Sequence, residues 1–179
     1  DLWPDGTLEP FNFAVYPGEI LGLAGQLGSG SGDALAVIGG AKSCRGGEIS
    51  YEGDVFLPAS PTEAIARGIA YCSDDRKVDG LFLGRPILEN MTSPALKSFS
   101  RYGILEHQKE REQAFANGKK FTVDVSRMDA EAGVLSGGNQ QKVALGKWLS
   151  IMPQILMVNE PTRGVDVGAK SEIYQRMRE

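Results

Sequence analysis

Cysteine and histidine are scarce. Cys44 and Cys72 are the two thiols and His107 the one imidazole among 179 residues. The cysteines form no C-x-x-C pair, so a disulfide scaffold, a zinc site and a cysteine–histidine hydrolase all drop out. They read as reduced, partly buried cytosolic thiols. No apolar run approaches the ~18 residues of a membrane span, and no signal peptide is expected at the start. Basic residues are not in excess: 19 Lys and Arg face 23 Asp and Glu, for a net charge of −4. That argues against nucleic acid as a partner, since phosphate backbones require clustered Lys and Arg. The remaining balance, 41% apolar and 23% charged, is that of an ordinary globular chain. At this length roughly 70% of the unfolded surface is buried without staples. What is abundant is glycine, 23 residues, about twice the usual ~7% share, and many fall in two clusters.

The hydrophobic pattern predicts alternating elements. Phe11–Val15 alternates as a half-buried strand, Pro17-Gly18 turns, and Glu19–Ala24 reads as a more buried strand. After the glycine-rich stretch 25–32, Asp33 is a candidate cap for a short helix over Ala34–Ile38. Glu48–Tyr51 and Asp54–Phe56 flank Glu52-Gly53 as a hairpin. Ser60-Pro61-Thr62-Glu63 opens a helix that Gly68 closes. Ile69–Cys72 is a short buried strand leading into the charged segment 73–77. Residues 86–118 look helical with two breaks, the last piece a charged, solvated helix ending at Asn117-Gly118. Ser136-Gly137-Gly138 opens a helix with a core stripe at Leu145, Trp148 and Leu149. Ile155–Val158 reads as a strand covered on both faces, with Asn159 and Glu160 at its carboxyl end, where open α/β sheets bind ligands. A last helix spans roughly Val167–Arg178.

The first glycine cluster fits G-x-x-x-x-G at Gly25 and Gly30, between a strand and a helix. That context suits a phosphate-binding loop, whose backbone N–H groups and helix start attract anions. Ser31 and Gly32 stand where the full motif has Lys-Ser/Thr, so the cation and the metal-binding hydroxyl are absent. Alone, this cluster is equally a flexible glycine turn.

The second cluster, Leu135-Ser136-Gly137-Gly138-Asn139-Gln140-Gln141-Lys142, resembles the signature motif of ABC-type ATPases. Ile155–Val158 with Asn159-Glu160-Pro161-Thr162 looks like the Walker B strand with its catalytic glutamate, and Gly164-Val165-Asp166 like the D-loop. Lys147-Trp148-Leu149 and the run Glu160–Lys170 are similar to the second ATPase half of the fused ATP-binding subunits of bacterial monosaccharide importers (ribose, galactose, xylose type). Asp74-Asp75-Arg76-Lys77 with Gly80-Leu81 matches the stretch those halves carry in place of the Q-loop, with Ser73 and Asp74 departing in detail.

The resemblance implies an α/β P-loop NTPase of the ABC type. Such a domain has a RecA-like core with a mostly parallel sheet, a small antiparallel layer and a helical subdomain at about 86–150. The last strands of that core, and the family's switch histidine, are expected beyond residue 179. It implies ATP and Mg²⁺ as cofactors, with two halves paired head to tail so that each ATP lies between one phosphate loop and the other half's signature. It implies membrane permease subunits as partners, a periplasmic sugar-binding protein acting indirectly, and a peripheral place on the cytoplasmic face of a bacterial inner membrane. Glu160 is the implied general base, and Asp74 the implied Q-loop equivalent near metal and water. Gly25, Gly28, Ser29, Gly30, Ser31, Gly32 and Asp33 are implied nucleotide contacts on this half. Ser136, Gly137, Gly138, Asn139, Gln140 and Asp166 are implied contacts to the partner's nucleotide. Trp3 is a candidate adenine platform or a hydrophobic anchor. Arg76 and Lys77 face phosphate, permease or simply solvent.

Asn159 stands where the family has a metal-holding aspartate, keeping a carbonyl but losing the charge. Ser31, Gly32 and Asn159 therefore weaken one site together. Losing two charge-assisted contacts of about 1.5–3 kcal/mol each lowers ATP affinity by ~10²–10⁴. The expectation is a degenerate own site beside an intact signature. The alternatives are a non-catalytic structural half and a soluble ABC protein of translation or DNA repair. Acidic charge and the Arg163–Lys170 stretch oppose the last.

Overall fold

The computed structural model describes residues 2–5, 10–26 and 28–178. It divides into two compact units, Asp1–Tyr71 and Cys72–Glu179.

In the first unit, β1 (Trp3–Pro4) pairs antiparallel with β2 (Cys44–Gly46). The expected hairpin forms from β3 (Ser50–Tyr51) and β4 (Asp54–Val55), with Glu52 and Gly53 both at positive φ in its turn. Ser60 caps α2 (Pro61–Ala66) by accepting from the Glu63 N–H, and β5 (Ile69–Cys72) follows. Ala34, Val37, Ala64, Ile69 and Ala70 make its small core.

Two expectations here are corrected. Neither Phe11–Val15 nor Glu19–Ala24 forms a strand. A strand exists only where a neighbouring strand takes its N–H and C=O groups. Among the described residues this stretch has one isolated bridge, Phe11 to Leu2, and a turn in which the Glu19 carboxylate accepts from the Tyr16 N–H at 2.9 Å. Apolar alternation without a partner leaves Tyr16 70% and Ile20 75% exposed. The helix α1 begins earlier than expected, at Ser31–Ile38, with Gly30 in the cap position at φ 84°. Left-handed backbone favours glycine there, and it moves Asp33 from the cap into the first turn.

The second unit is helical around Ile87, Met91, Ala114, Met128, Val143 and Leu145, each at most 1% exposed. Its elements begin with a π-helical turn over Arg76–Gly80, then α3 (Ile87–Thr92) and a 3₁₀ turn over Ser93–Phe99. The hairpin β6 (Ser100–Arg101) and β7 (Ile104–Leu105) follows, then α4 (His107–Lys120), α5 (Gly137–Gly146), β8 (Ile155–Val158) and α6 (Val167–Arg178). Helix α4 runs through Gly118 rather than stopping there. A Cβ on Gly118 would lie 2.2 Å from Met128 Cε, so this glycine serves close packing and not a cap. Nor is α4 wholly solvated: Glu110 is buried and accepts from Thr92 Oγ1 at 2.9 Å. In β8, Met157 is buried while Leu156 is 40% exposed, so one face is covered, not both. Leu145 and Trp148 are buried as the stripe required, and Leu149 is half-buried.

Candidate functional site

In the first unit the glycine cluster forms a tight loop at the start of α1. The Ser29 N–H donates to the Gln26 carbonyl at 2.9 Å, and Ser29 Oγ lies 3.4 Å from Ser31 Oγ. A Cβ on Gly25 would lie 2.6 Å from Ser29 Cβ, so glycine at 25 is what lets the loop close. Gly28 is at φ 85°. Leu27 lies outside the described residues. Ser31 and Gly32 are the first residues of α1, and Asp33 is held by Lys42 at 2.6 Å. An aspartate neutralised by a nearby lysine is not a contact that favours a phosphate. Trp3 is 39% exposed with the Arg45 guanidinium over its ring, 5.9 Å from the centroid.

The second unit holds four of the motifs. The end of β8 is anchored where the Asn159 N–H donates to the Cys72 carbonyl at 2.9 Å. That places Asn159 beside Asp74, and Asn159 Nδ2 donates to Asp74 Oδ1 at 3.1 Å. The other carboxylate oxygen, Oδ2, pairs with Arg163. Glu160 follows, exposed and at φ 48°. A non-glycine residue costs about 1–3 kcal/mol in that region. Its carbonyl accepts from the Arg163 N–H at 3.0 Å, closing the turn over Pro161 and Thr162. Asp166 caps α6 by accepting from the Ala169 N–H at 3.0 Å.

Ser136 caps α5, its Oγ accepting from the Asn139 N–H at 3.5 Å, and is itself exposed. Gly138 is buried, and a Cβ there would lie 3.1 Å from Ala169 Cβ and 3.6 Å from Asp166 Oδ2. The α5 start therefore lies against the loop that ends in Asp166. Gln140 departs from expectation. Its side chain is buried, donating to the Leu135 carbonyl at 3.2 Å and accepting from Arg76 Nε at 3.4 Å. It supports the motif from within.

Arg76 is also not a solvated charge. Its Nη1 donates to the Arg163 carbonyl at 2.6 Å. Two residues to which the sequence assigns no role of their own complete the scaffold. Asn90, fully buried, accepts from the Phe82 N–H and donates to the carbonyls of Phe82, Arg85 and Pro86. Lys147 Nζ donates to the Gly80 carbonyl at 2.5 Å, and burial holds its pKa below the ordinary lysine value. A polar residue on the apolar face of α3 was the available signal for Asn90.

These residues do not fit a divalent cation. The carboxylate of Asp74 is already shared between an amide and a guanidinium, and Asn159 contributes no charge. Among the described residues no group of three or more His, Cys, Asp or Glu gathers, and no helix is long and apolar enough to cross a membrane.

Comparison with known proteins bears on all of this. The family model described as ABC transporter matches residues 8–163. The ribose import ATP-binding protein RbsA of Geobacillus kaustophilus (strain HTA426) is 42% identical over 178 residues, which is 99% of this chain and 36% of that protein. That of Streptococcus agalactiae serotype III (strain NEM316) is 41% identical over 173 residues, 97% of this chain and 35% of that protein. The chain thus spans about a third of the length of the curated relatives it matches. Among solved structures, a dimeric ATP-binding cassette in a post-hydrolysis state bound to ADP and Pi superposes with a TM-score of 0.78 at 24% identity, covering 95% of this chain and 72% of that one. A second cassette of an ABC transporter does so with the same TM-score and identity, covering 98% of this chain and 72% of that one. The fold is that of ABC cassettes, and the chain belongs to the ABC transporter family as one of its ATP-binding domains.

Proposed function

We propose that this chain is one ATP-binding half of a bacterial carbohydrate importer of the ribose type. In this reading its own phosphate loop is degenerate and its signature completes the ATP site of the partner half. The observation that carries it is the contrast between two sets of residues. The α5 start, Ser136–Gly138, keeps its cap, its glycines and the neighbouring Asp166. The residues that would serve this half's own nucleotide are Ser31, Gly32, a paired Asp33, an amide at 159 and a paired Asp74. Backbone N–H groups at a helix start still attract phosphate. Without the lysine, the attraction is too weak for tight binding.

Glu160 is the general base of this reading, exposed at the strand end and able to polarise a water. Residues 86–150 form the helical subdomain. The partners are the other ATPase half, membrane permease subunits and, indirectly, a periplasmic sugar-binding protein. The place of action is the cytoplasmic face of the membrane. High identity to two ribose import ATP-binding proteins supports the substrate class.

A second reading is supported by Asn159 and the Asp74–Arg163 pair: a structural half that never turns over ATP on its own loop. Titration of fluorescent ATP into the chain, with and without Mg²⁺, tests the degenerate site. The expected result is a Kd above roughly 100 μM, little changed by Mg²⁺, with negligible turnover. Micromolar, Mg²⁺-dependent affinity with steady hydrolysis overturns it. The triple substitution S31K, G32T and N159D separates the two readings. A large gain in hydrolysis by the assembled importer favours the structural half.

A further inference from the structure

Arg76 is half-buried and reaches two motif elements at once. On one side its Nε donates to Gln140 Oε1 at 3.4 Å, a residue of the α5 start. On the other, Nη1 donates to the Arg163 carbonyl at 2.6 Å and Nη2 makes a longer contact of 3.5 Å to the Gly164 carbonyl. The guanidinium has five donors in a fixed plane, so it can bridge such acceptors where a lysine offers a single point. Glycine leaves space around it. A Cβ on Gly137 would lie 2.9 Å from Arg76 Nη2 and 2.7 Å from the Gly164 carbonyl oxygen, and one on Gly164 would lie 3.3 Å from Nη2. Two motif glycines thus have a local reason besides ligand approach: they make room for this side chain. The same loop is gripped a second time by the neighbouring Asp74, which pairs with the Arg163 side chain.

We propose that Arg76 is a positioning residue that locks the α5 start at Gly137–Gln140 to the loop Arg163–Asp166, so that the two surfaces offered to a partner move as one body. The inference deepens the proposed function and rests on it only for the catalytic consequence.

Hydrogen–deuterium exchange on this chain tests the lock directly. In R76A, exchange at amides 138–141 and 163–166 is expected to accelerate together, by tenfold or more, while the α3 and α4 amides keep their wild-type rates. R76K restores at most one of the two segments. Q140L, which removes one arm, loosens the same pair of segments, and adding it to R76A produces little further change. Acceleration of one segment alone, of neither, or of the whole unit equally overturns the proposal. Should R76A not fold, R76K and Q140L still decide it. In the assembled ATPase, R76K is expected to lower kcat about tenfold with KM for ATP within twofold, because positioning acts on the transition state. Equal loss through KM overturns the positioning role. Absence of any ATPase in the wild type, with the exchange pattern as expected, sinks the functional reading and leaves the lock standing.

Discussion

The two glycine clusters carry similar sequence signals and meet different fates. The cluster at 25–32 folds mainly on itself and on the start of α1: Ser29 bonds to Gln26 and lies against Ser31, the Gly30 carbonyl accepts from the Ala34 N–H at 2.9 Å, and the apolar residues before it lie exposed. The cluster at 136–140 is built into its surroundings. Gln140 is buried, Gly138 faces Asp166 and Val165, and Gly137 faces Arg76 and Gly164. At the first cluster glycine supplies backbone freedom at Gly28 and Gly30 and room at Gly25; at the second, Gly137 and Gly138 supply room.

A graded glycine series breaks or sharpens that contrast. G137A forces backbone at Gly164 or the Arg76 guanidinium to shift and is expected to cost about 1–3 kcal/mol, a fall in Tm of several degrees. G28A meets open space but sits at φ 85°, so about 1 kcal/mol is expected from conformation alone. G22A meets nothing and has no unusual φ; its Tm is expected within error of the wild type or slightly above. Thermal unfolding ranks the three, and a G22A loss equal to that of G137A erases the distinction.

The next largest effect tests how the second unit holds α6. Lys142 Nζ lies 2.6 Å from Glu172, and hydrogen bonds from Lys142 and then Thr122 keep the Glu172 carboxyl below its ordinary value of 4.5. A lowered carboxylate pKa contributes stability above the unfolded value and loses it as pH falls through the folded one. The stability gap between wild type and E172Q, read from thermal unfolding, is therefore expected near neutral pH, at about 1 kcal/mol or less, and should close as pH falls below 4.5 through the lowered folded value. A gap independent of pH removes the charge from the account.

The smallest effect leaves the fold unchanged. Cys72 is 2% exposed and burial pushes its thiol up to about 11, whereas Cys44 is half-buried in the first unit. At pH 8 iodoacetamide is expected to label one thiol per native chain, at Cys44, and the second only after unfolding. Rapid labelling of Cys72 contradicts the packing around β8.

Much was legible from residues in order. Ser60-Pro61 and Ser136-Gly137 opened helices as their capping chemistry requires, the Glu52-Gly53 hairpin formed, and α6 spans the stretch expected for it. These features depend on hydrogen bonds and dihedrals spanning a few residues, so composition and spacing determine them. The motifs that mark the family are of the same local kind. What only the tertiary structure decided is who touches whom. Phe11–Val15 alternates like a strand but, among the described residues, its backbone is paired only at Phe11, with Leu2. Arg76 and Asp74, read as charges for solvent or ligand, are occupied by the loop at 163–164 and by Asn159. Gln140 turns inward, and Asn90 holds a loop that no motif announces. A guanidinium or a carboxylate takes its role from acceptors and donors dozens of residues away, and that pairing is set by how the elements pack.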